Sequence, residues 1–342
     1  MKGSKESILF LILEGYTDYL SEIELESISN NLAFNNEREL KLSSGKLNKI
    51  PRIVKFFPAL EYLNLSNNQI QLVDIPLDLP HLKTLNLSEN EISLLPDHLG
   101  NLPQLTNLDL SGNKLSDLPN SMKTLTSLHY LDLAGNDFSF LPEVISYLPS
   151  LEVLNLQNNH INTLPAKISN LYKLESLDIS NNMLSVFPEN ITHLHSLQEL
   201  NLMDNRIKII PDSIENLTNL ESLALDNNHI FILPNTLENL EKLTYLSISS
   251  NPIFNLPRSI GLLKSLRSLS LERTELIRLP FELAKLSSLE SLNLKWTKIS
   301  KLPPFLCEWE SLKTIIIDKA IELNSRHIIT ELRRKDVKVL VR

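Results

Sequence analysis

"LEVLNLQNNHINTLPAKISNLYK", residues 151–173, is followed without a break by "LESLDISNNMLSVFPENITHLHS", residues 174–196. Few letters are shared in runs, yet Leu, Asn, Pro and a later set of aliphatics fall at the same places in both. Alignment on the first Leu extends the pattern in both directions. Units of 23 residues start at Leu82, Leu105, Leu128, Leu151, Leu174, Leu197, Leu220, Leu243, Leu266 and Leu289. A 22-residue unit starts at Leu60 with its Pro displaced to Pro76, a degenerate one starts near Glu37, and a further strand-like start is Leu312. A period of this length decides the architecture before any local propensity does.

Each conserved letter of the unit has a mechanical reason. In L-x-x-L-x-L, alternate residues such as Leu154 and Leu156 point to one side of a short strand and their neighbours point to the other. A single such strand cannot bury its apolar side alone, so neighbouring units must stack into a parallel sheet over a continuous core. Asn follows in the turn that leaves the strand: Asn68, Asn90, Asn113, Asn136, Asn159, Asn182, Asn205, Asn228 and Asn251. Its amide both donates and accepts, so it can satisfy buried backbone groups of its own coil and of the next one. Pro in the Leu-Pro pairs suits the first turn of a short helical return segment, because it fixes φ and needs no donor. The I/L-x-x-L that follows, such as Ile168 and Leu171, plugs that segment into the core.

The expected fold is therefore α/β: a right-handed solenoid, horseshoe-shaped, with a concave parallel sheet and short helical or 3-10 segments on the convex side. We expect three parts. Residues 1–36 form a helical cap in which Tyr16, Tyr19, Leu20, Ile23, Ile28 and Leu32 cover the first coil; 37–311 hold about 12 repeats; 312–342 close the stack as strand, charged helix (about 325–334) and strand (337–341).

The 23-residue unit with Leu-Pro-x-x-Ile resembles the intracellular leucine-rich repeat class shared by many bacterial proteins, plant Ras-group-related proteins and animal Ras-pathway scaffolds. The C-terminal helix and strand look like endings common in the bacterial members. The resemblance implies a cytoplasmic binding scaffold without chemistry of its own and leaves the partner open.

Composition narrows the partner. A net charge of −8 disfavours nucleic acid and anionic membrane surfaces, because phosphates would meet no broad basic area. The apolar run Ile8–Leu13 is too short to span a membrane, and Glu14 ends it below the length of a signal-peptide core. The single Cys307 excludes an internal disulfide and favours a reducing compartment. A monomer is expected.

No chemistry-bearing constellation emerges. Bacterial ubiquitin ligases with similar repeats carry their reactive Cys in a separate C-terminal domain that has no counterpart here, so Cys307 in "PPFLCEW" reads as filling an apolar slot. His193 and His195 fall on the return segment without Cys or carboxylate companions, which argues against a metal site. No cofactor, metal or catalytic residue is expected.

Binding residues are sought among those the repeat does not need, at the second, third, fifth, seventh and eighth positions. From Leu105 to Lys242 these places hold Asp109, Asp132, Glu152, Glu175, Asp178, Glu199, Asp204, Glu221 and Asp226, and no Lys or Arg. A one-signed strip attracts a basic protein. The fifth position is Asn or Asp in most units, so Asp109, Asp132 and Asp178 also fit a hydrogen-bonding ladder. Tyr62, Tyr130, Val153, Met203, Tyr245 and Trp296 add aromatic and apolar contacts suited to interface anchoring. Toward the C-terminus Arg273 and Lys295 accompany Trp296, with Arg273 one coil earlier and placed to stack on it. In "LKWTKISKLP" (294–303) and "LERTELIRLP" (271–280), Thr297 and Thr274 replace the ladder Asn, so a hydroxyl does part of the amide's work in a reshaped turn. Two further readings stand beside the cytoplasmic scaffold: an exported effector or adhesin acting on a host protein, and a regulatory subunit in a phosphatase or small-GTPase pathway.

Overall fold

The computed structural model describes residues 36–73 and 79–342. The apolar residues assigned to the N-terminal cap, Tyr16 to Leu32, and the displaced Pro76 lie outside the described residues. The chain forms two compact units that divide between Leu174 and Glu175.

The first unit contains the three-residue strands β1 (Glu39–Lys41), β2 (Tyr62–Asn64), β3 (Thr84–Asn86), β4 (Asn107–Asp109), β5 (Tyr130–Asp132) and β6 (Val153–Asn155). Each pairs in parallel with the next in chain order, and register partners are equivalent positions of successive repeats, such as Leu108, Leu131 and Leu154. The second unit continues the same construction with β7 (Ser176–Asp178), β8 (Glu199–Asn201), β9 (Ser222–Ala224), β10 (Tyr245–Ser247), β11 (Ser268–Ser270), β12 (Ser291–Asn293), β13 (Thr314–Ile317) and β14 (Lys338–Val341), also parallel and in chain order. Between β13 and β14 run two helices, α1 (Lys319–Asn324) and α2 (Arg326–Arg334). The charged helix expected near 325–334 is α2. The short α1, started by Asp318 accepting from the Ile321 N–H at 3.0 Å, is additional to the sequence reading.

The core is the repeat itself. In the coil from Leu151, the residues Leu151, Leu154, Leu156, Ile161, Leu164, Ile168 and Leu171 are all buried. Burying each aliphatic side chain is worth roughly 1.5–3 kcal/mol, so every coil is held chiefly by contacts that exist only because a neighbour is stacked on it.

The return segments are five-residue 3-10 helices, for example Ala166–Asn170. Here Pro165 stands just before the helix rather than in its first turn, with an extended backbone (φ −64°, ψ 144°). Its carbonyl accepts the first helical bond from Ile168 N–H at 3.0 Å. The Pro therefore ends the extended segment and starts the 3-10 turn from outside. Among the described residues only Pro304 occupies a helical position, behind Pro303.

The ladder asparagines carry the coil-to-coil bonding. Asn228 accepts from the Ile207 N–H of the preceding coil at 2.9 Å. Its Nδ2 donates to the carbonyl of Leu202 in that coil at 2.8 Å and to Leu225 and Asp226 of its own coil at 3.1 Å each. Asn205 and Asn251 repeat the arrangement. Thr274 and Thr297 keep only part of it. Each hydroxyl donates to the carbonyl three residues back, Leu271 at 2.8 Å and Leu294 at 2.9 Å, and neither reaches the preceding coil. At the end of the stack the Ser325 hydroxyl accepts a different backbone group, the Leu302 N–H, at 2.8 Å.

Two changes test this account by urea unfolding. Asn228→Ala strands buried donors and acceptors in two coils and is expected to cost about 3 kcal/mol or more. Thr274→Asn restores the missing cross-coil bonds at a site only 2% exposed and is expected to add about 1 kcal/mol. A loss of stability in the second variant refutes the stitching role.

Candidate partner-binding face

On the sheet face away from the core, the fifth position forms a ladder of its own. The side-chain oxygen of residue five accepts the N–H of residue seven, as in Asn86 with Ser88 at 2.9 Å and Asp178 with Ser180 at 2.8 Å. The other end of the side chain reaches the adjacent coil: Asn86 to Asp109 at 3.0 Å, Asn155 to Asp132 at 2.9 Å, Asn201 to Asp178 at 2.8 Å. Asp109 and Asp132 are adjacent carboxylates, and each turns its second oxygen to an Asn on its far side. These three aspartates are consumed by the sheet, as the ladder reading expects.

In the second unit the ladder breaks, because Ala224, Ser247 and Ser270 occupy three successive fifth positions. Asp226, two residues past Ala224, fills the gap. Its Oδ1 accepts from the Ser247 hydroxyl at 2.5 Å and from the Ser249 N–H at 2.8 Å. Asp226 is 7% exposed. Sequence reasoning placed it among the partner-binding residues, and this burial corrects that assignment: it is a ladder substitute supplied from the seventh position.

What remains is smaller and cleaner. Glu175, Glu199, Asp204 and Glu221 are exposed on three successive coils of the second unit, and among the described residues none takes part in an ion pair. Glu199 accepts from the Ser176 hydroxyl at 3.1 Å, and the other three carboxylates have no side-chain bond to a described residue. Met203 lies half-buried among them and Tyr245 is exposed on β10.

In the first unit, Tyr130 and Val153 are register partners on β5 and β6, both half-buried. The Tyr130 hydroxyl donates to Asp132 at 2.9 Å. Burial, then the Asp132 carboxylate, pushes its ionisation well above the ordinary phenol range. Glu152 lies 3.9 Å from the His129 ring, and Tyr62 has the Lys41 ammonium 5.5 Å from its ring centre.

Trp296 answers to a constraint invisible in the alternating pattern. The eighth position has positive φ in coil after coil: Asn67, Glu89, Gly112, Gly135, Asn158, Asn181, Asp204, Asn227, Ser250, Arg273 and Trp296, all between 51° and 63°. Asn, Asp and Gly recur there because they tolerate the left-handed region, which costs other residues about 1–2 kcal/mol. Arg273 and Trp296 occupy it regardless. The Arg273 guanidinium carbon lies 4.2 Å from the Trp296 ring centre and the Lys295 ammonium 3.4 Å from it, so two cations approach the indole, which remains 46% exposed.

Cys307 lies in the 3-10 segment Pro304–Glu308, part-buried, its Sγ 3.9 Å from the Ile328 carbonyl, and burial raises its thiol pKa. His193 ends a return segment, and the exposed His195 ring contacts the Asn216 carbonyl at 3.2 Å. Among the described residues no group of three or more His, Cys, Asp or Glu could hold a metal, and no helix is long and apolar enough to cross a membrane. Sequence reasoning overlooked a further feature, large exposed aliphatics just before the Leu-Pro pairs; the signal was apolar residues at places where the core needs none.

The leucine-rich repeat region family matches residues 36–155, 120–205 and 167–256. The chain belongs to the leucine-rich repeat family. Such proteins are in general non-catalytic scaffolds that bind other proteins. A leucine-rich repeat protein of Leptospira interrogans is 30% identical, over 94% of this chain and 86% of that one, with a TM-score of 0.79. The internalin InlF of Listeria monocytogenes shares the fold at 24% identity, over 97% of this chain and 94% of that one, with a TM-score of 0.78. The ectodomain of the Arabidopsis thaliana receptor kinase GASSHO1/SCHENGEN3, solved in complex with CASPARIAN STRIP INTEGRITY FACTOR 2, is 26% identical over 78% of this chain and 34% of that one (TM-score 0.67). No curated protein matches the chain.

The division between consumed and free carboxylates is measurable. Asp226→Ala strands the part-buried Ser249 N–H and the buried Ser247 hydroxyl and is expected to cost about 2 kcal/mol. Glu175→Ala and Glu199→Ala are expected to stay within about 0.5 kcal/mol of the parent in the same thermal or urea melts. Equal effects at Asp226 and Glu175 contradict the assignment.

Proposed function

We propose that this protein is a non-catalytic scaffold that binds a protein rich in exposed Lys or Arg on the open sheet face of its second unit. One observation carries the reading: Glu175, Glu199, Asp204 and Glu221 are exposed on three adjacent coils with no ion pair to any described residue, on a face where Asp178 and Asp226 are tied into the sheet. Unpaired charges of one sign cost the folded chain some self-repulsion and are relieved by a partner of opposite sign. Trp296, with the Arg273 and Lys295 cations over its ring, supplies an aromatic contact nearer the C-terminus. The complex of the plant receptor ectodomain with CASPARIAN STRIP INTEGRITY FACTOR 2 supports partner binding by a related repeat stack. We place the protein in the cytoplasm, the compartment favoured by its single thiol.

The test is affinity capture from native cells with the immobilised full chain, with partners identified by mass spectrometry. The triple variant Glu175→Lys, Glu199→Lys, Glu221→Lys is expected to weaken capture of the principal partner by tenfold or more, on the order of the several-kcal/mol cost of like-charge contacts. Parent capture is expected to fall as salt rises through about 0.1 M to 0.5 M, as the Debye length shrinks below the spacing of the charges. Unchanged capture by the triple variant refutes the acidic face as the contact surface.

A further inference from the structure

We propose that two copies of this protein associate through the edge of the second unit, antiparallel, along an apolar stripe centred on Phe231 and Ile232. The stripe runs along the segment between the turn Asn and the Leu-Pro pair. It consists of Val186, Ile209, Phe231 with Ile232, Phe254 and Ile277, one or two residues on each of five successive coils, exposed by 42% at Phe231 up to 73% at Val186. Ile209 and Ile232 are joined as a parallel β-bridge, so the segments of these two coils run side by side. The core does not require these side chains. The next residues inward, Phe187, Ile210, Leu233, Leu256 and Leu279, already fill it, and the coil from Leu289 has Ser300 and Lys301 at the same two places.

Six large side chains, each about half exposed or more, present roughly 600 Å² of contiguous apolar surface, the upper end of what a monomer leaves in water. With a polar rim that area approaches the roughly 800 Å² per partner of a stable interface.

The composition of the stripe argues for a second copy as occupant. Read from either end it holds one, one, two, one and one apolar residues, with the doubled coil in the middle. A two-fold interface places the same surface on itself, and a stripe symmetric about its centre satisfies that demand. Charge sets the direction. The polar companions along the stripe are Ser185, Lys208, Asn255 and Arg278. In an antiparallel pair Lys208 meets Phe254 and Asn255, and Arg278 meets Ser185 and Val186. In a parallel pair each cation would face its own copy. In the first unit, Leu72 and Leu94 begin a similar stripe, but Ser116 and Asp117 occupy those places in the next coil.

Sedimentation velocity on the full chain between about 1 and 100 µM tests the proposal, a range in which a micromolar dimer crosses from monomer to dimer. The expected result is a concentration-dependent dimer. Ile209→Glu with Ile232→Glu is expected to weaken it by on the order of 100-fold, with an unchanged melting temperature because both side chains are exposed. For direction, in a Cys307→Ser background, Ile232→Cys is expected to form a disulfide with its own copy on oxidation. Val186→Cys is expected to link to Ile277→Cys only when the two variants are mixed. A parent chain that stays monomeric at the highest concentration, or a dimer that survives the double Glu variant, overturns the proposal. Self-linking by Ile277→Cys overturns the antiparallel direction. Flotation of monomeric parent protein with phosphatidylcholine vesicles, lost in the double Glu variant, assigns the stripe to a lipid surface instead.

Discussion

The Asn amide that leaves each strand is the constraint on which the other features rest. The chain must turn inward there, carrying backbone N–H and C=O groups into a place without water, and each such group left unpaired costs about 1–3 kcal/mol. A primary amide supplies two donors and an acceptor from one short side chain, which matches the groups on offer. Asn228 shows why this binds coils together as well as closing a turn: two of its four bonds belong to the coil before. Equal turns one repeat apart put equal positions in register, and that spacing fixes where every exposed side chain of a unit stands relative to its neighbours.

From that spacing follows the chemistry of the sheet face. Side chains at the fifth position are close enough to bond from coil to coil, so Asn and Asp settle into donor and acceptor roles. The free charge of the face is what this ladder leaves over. Where Ala224, Ser247 and Ser270 remove ladder members, Asp226 is drawn in to cap Ser249, and a carboxylate that looks available in the sequence becomes structural. Glu175 and Glu221 stand at the second position, away from the ladder, and keep their charge for solvent or a partner.

The C-terminal coils relax two rules at once. Thr274 and Thr297 give up the cross-coil bonds, and Arg273 and Trp296 accept a left-handed backbone that Asn or Gly would adopt at lower cost. Stacking between Arg273, Lys295 and Trp296 offsets part of that cost, since a cation over an indole is worth about 0.5–1 kcal/mol at an exposed site. A site that keeps an exposed indole at such a backbone is where selection for something other than stability is expected.

The repeat, its core residues, the parallel pairing and the amide stitch were legible in the letters, because they recur every 23 residues and each follows from local geometry or from a buried group's need for a partner. The Thr substitutions were legible for the same reason. Tertiary structure alone settled three matters. Pro165 and its equivalents stand before the 3-10 turns, because the extended run has to end there. The eighth position needs positive φ, a backbone angle that a pattern of apolar residues does not encode. Of the acidic residues, Asp226 is bound into the sheet and Glu175 is not; both are carboxylates one could place on the same face, and only the distance to a neighbouring coil's N–H separates them.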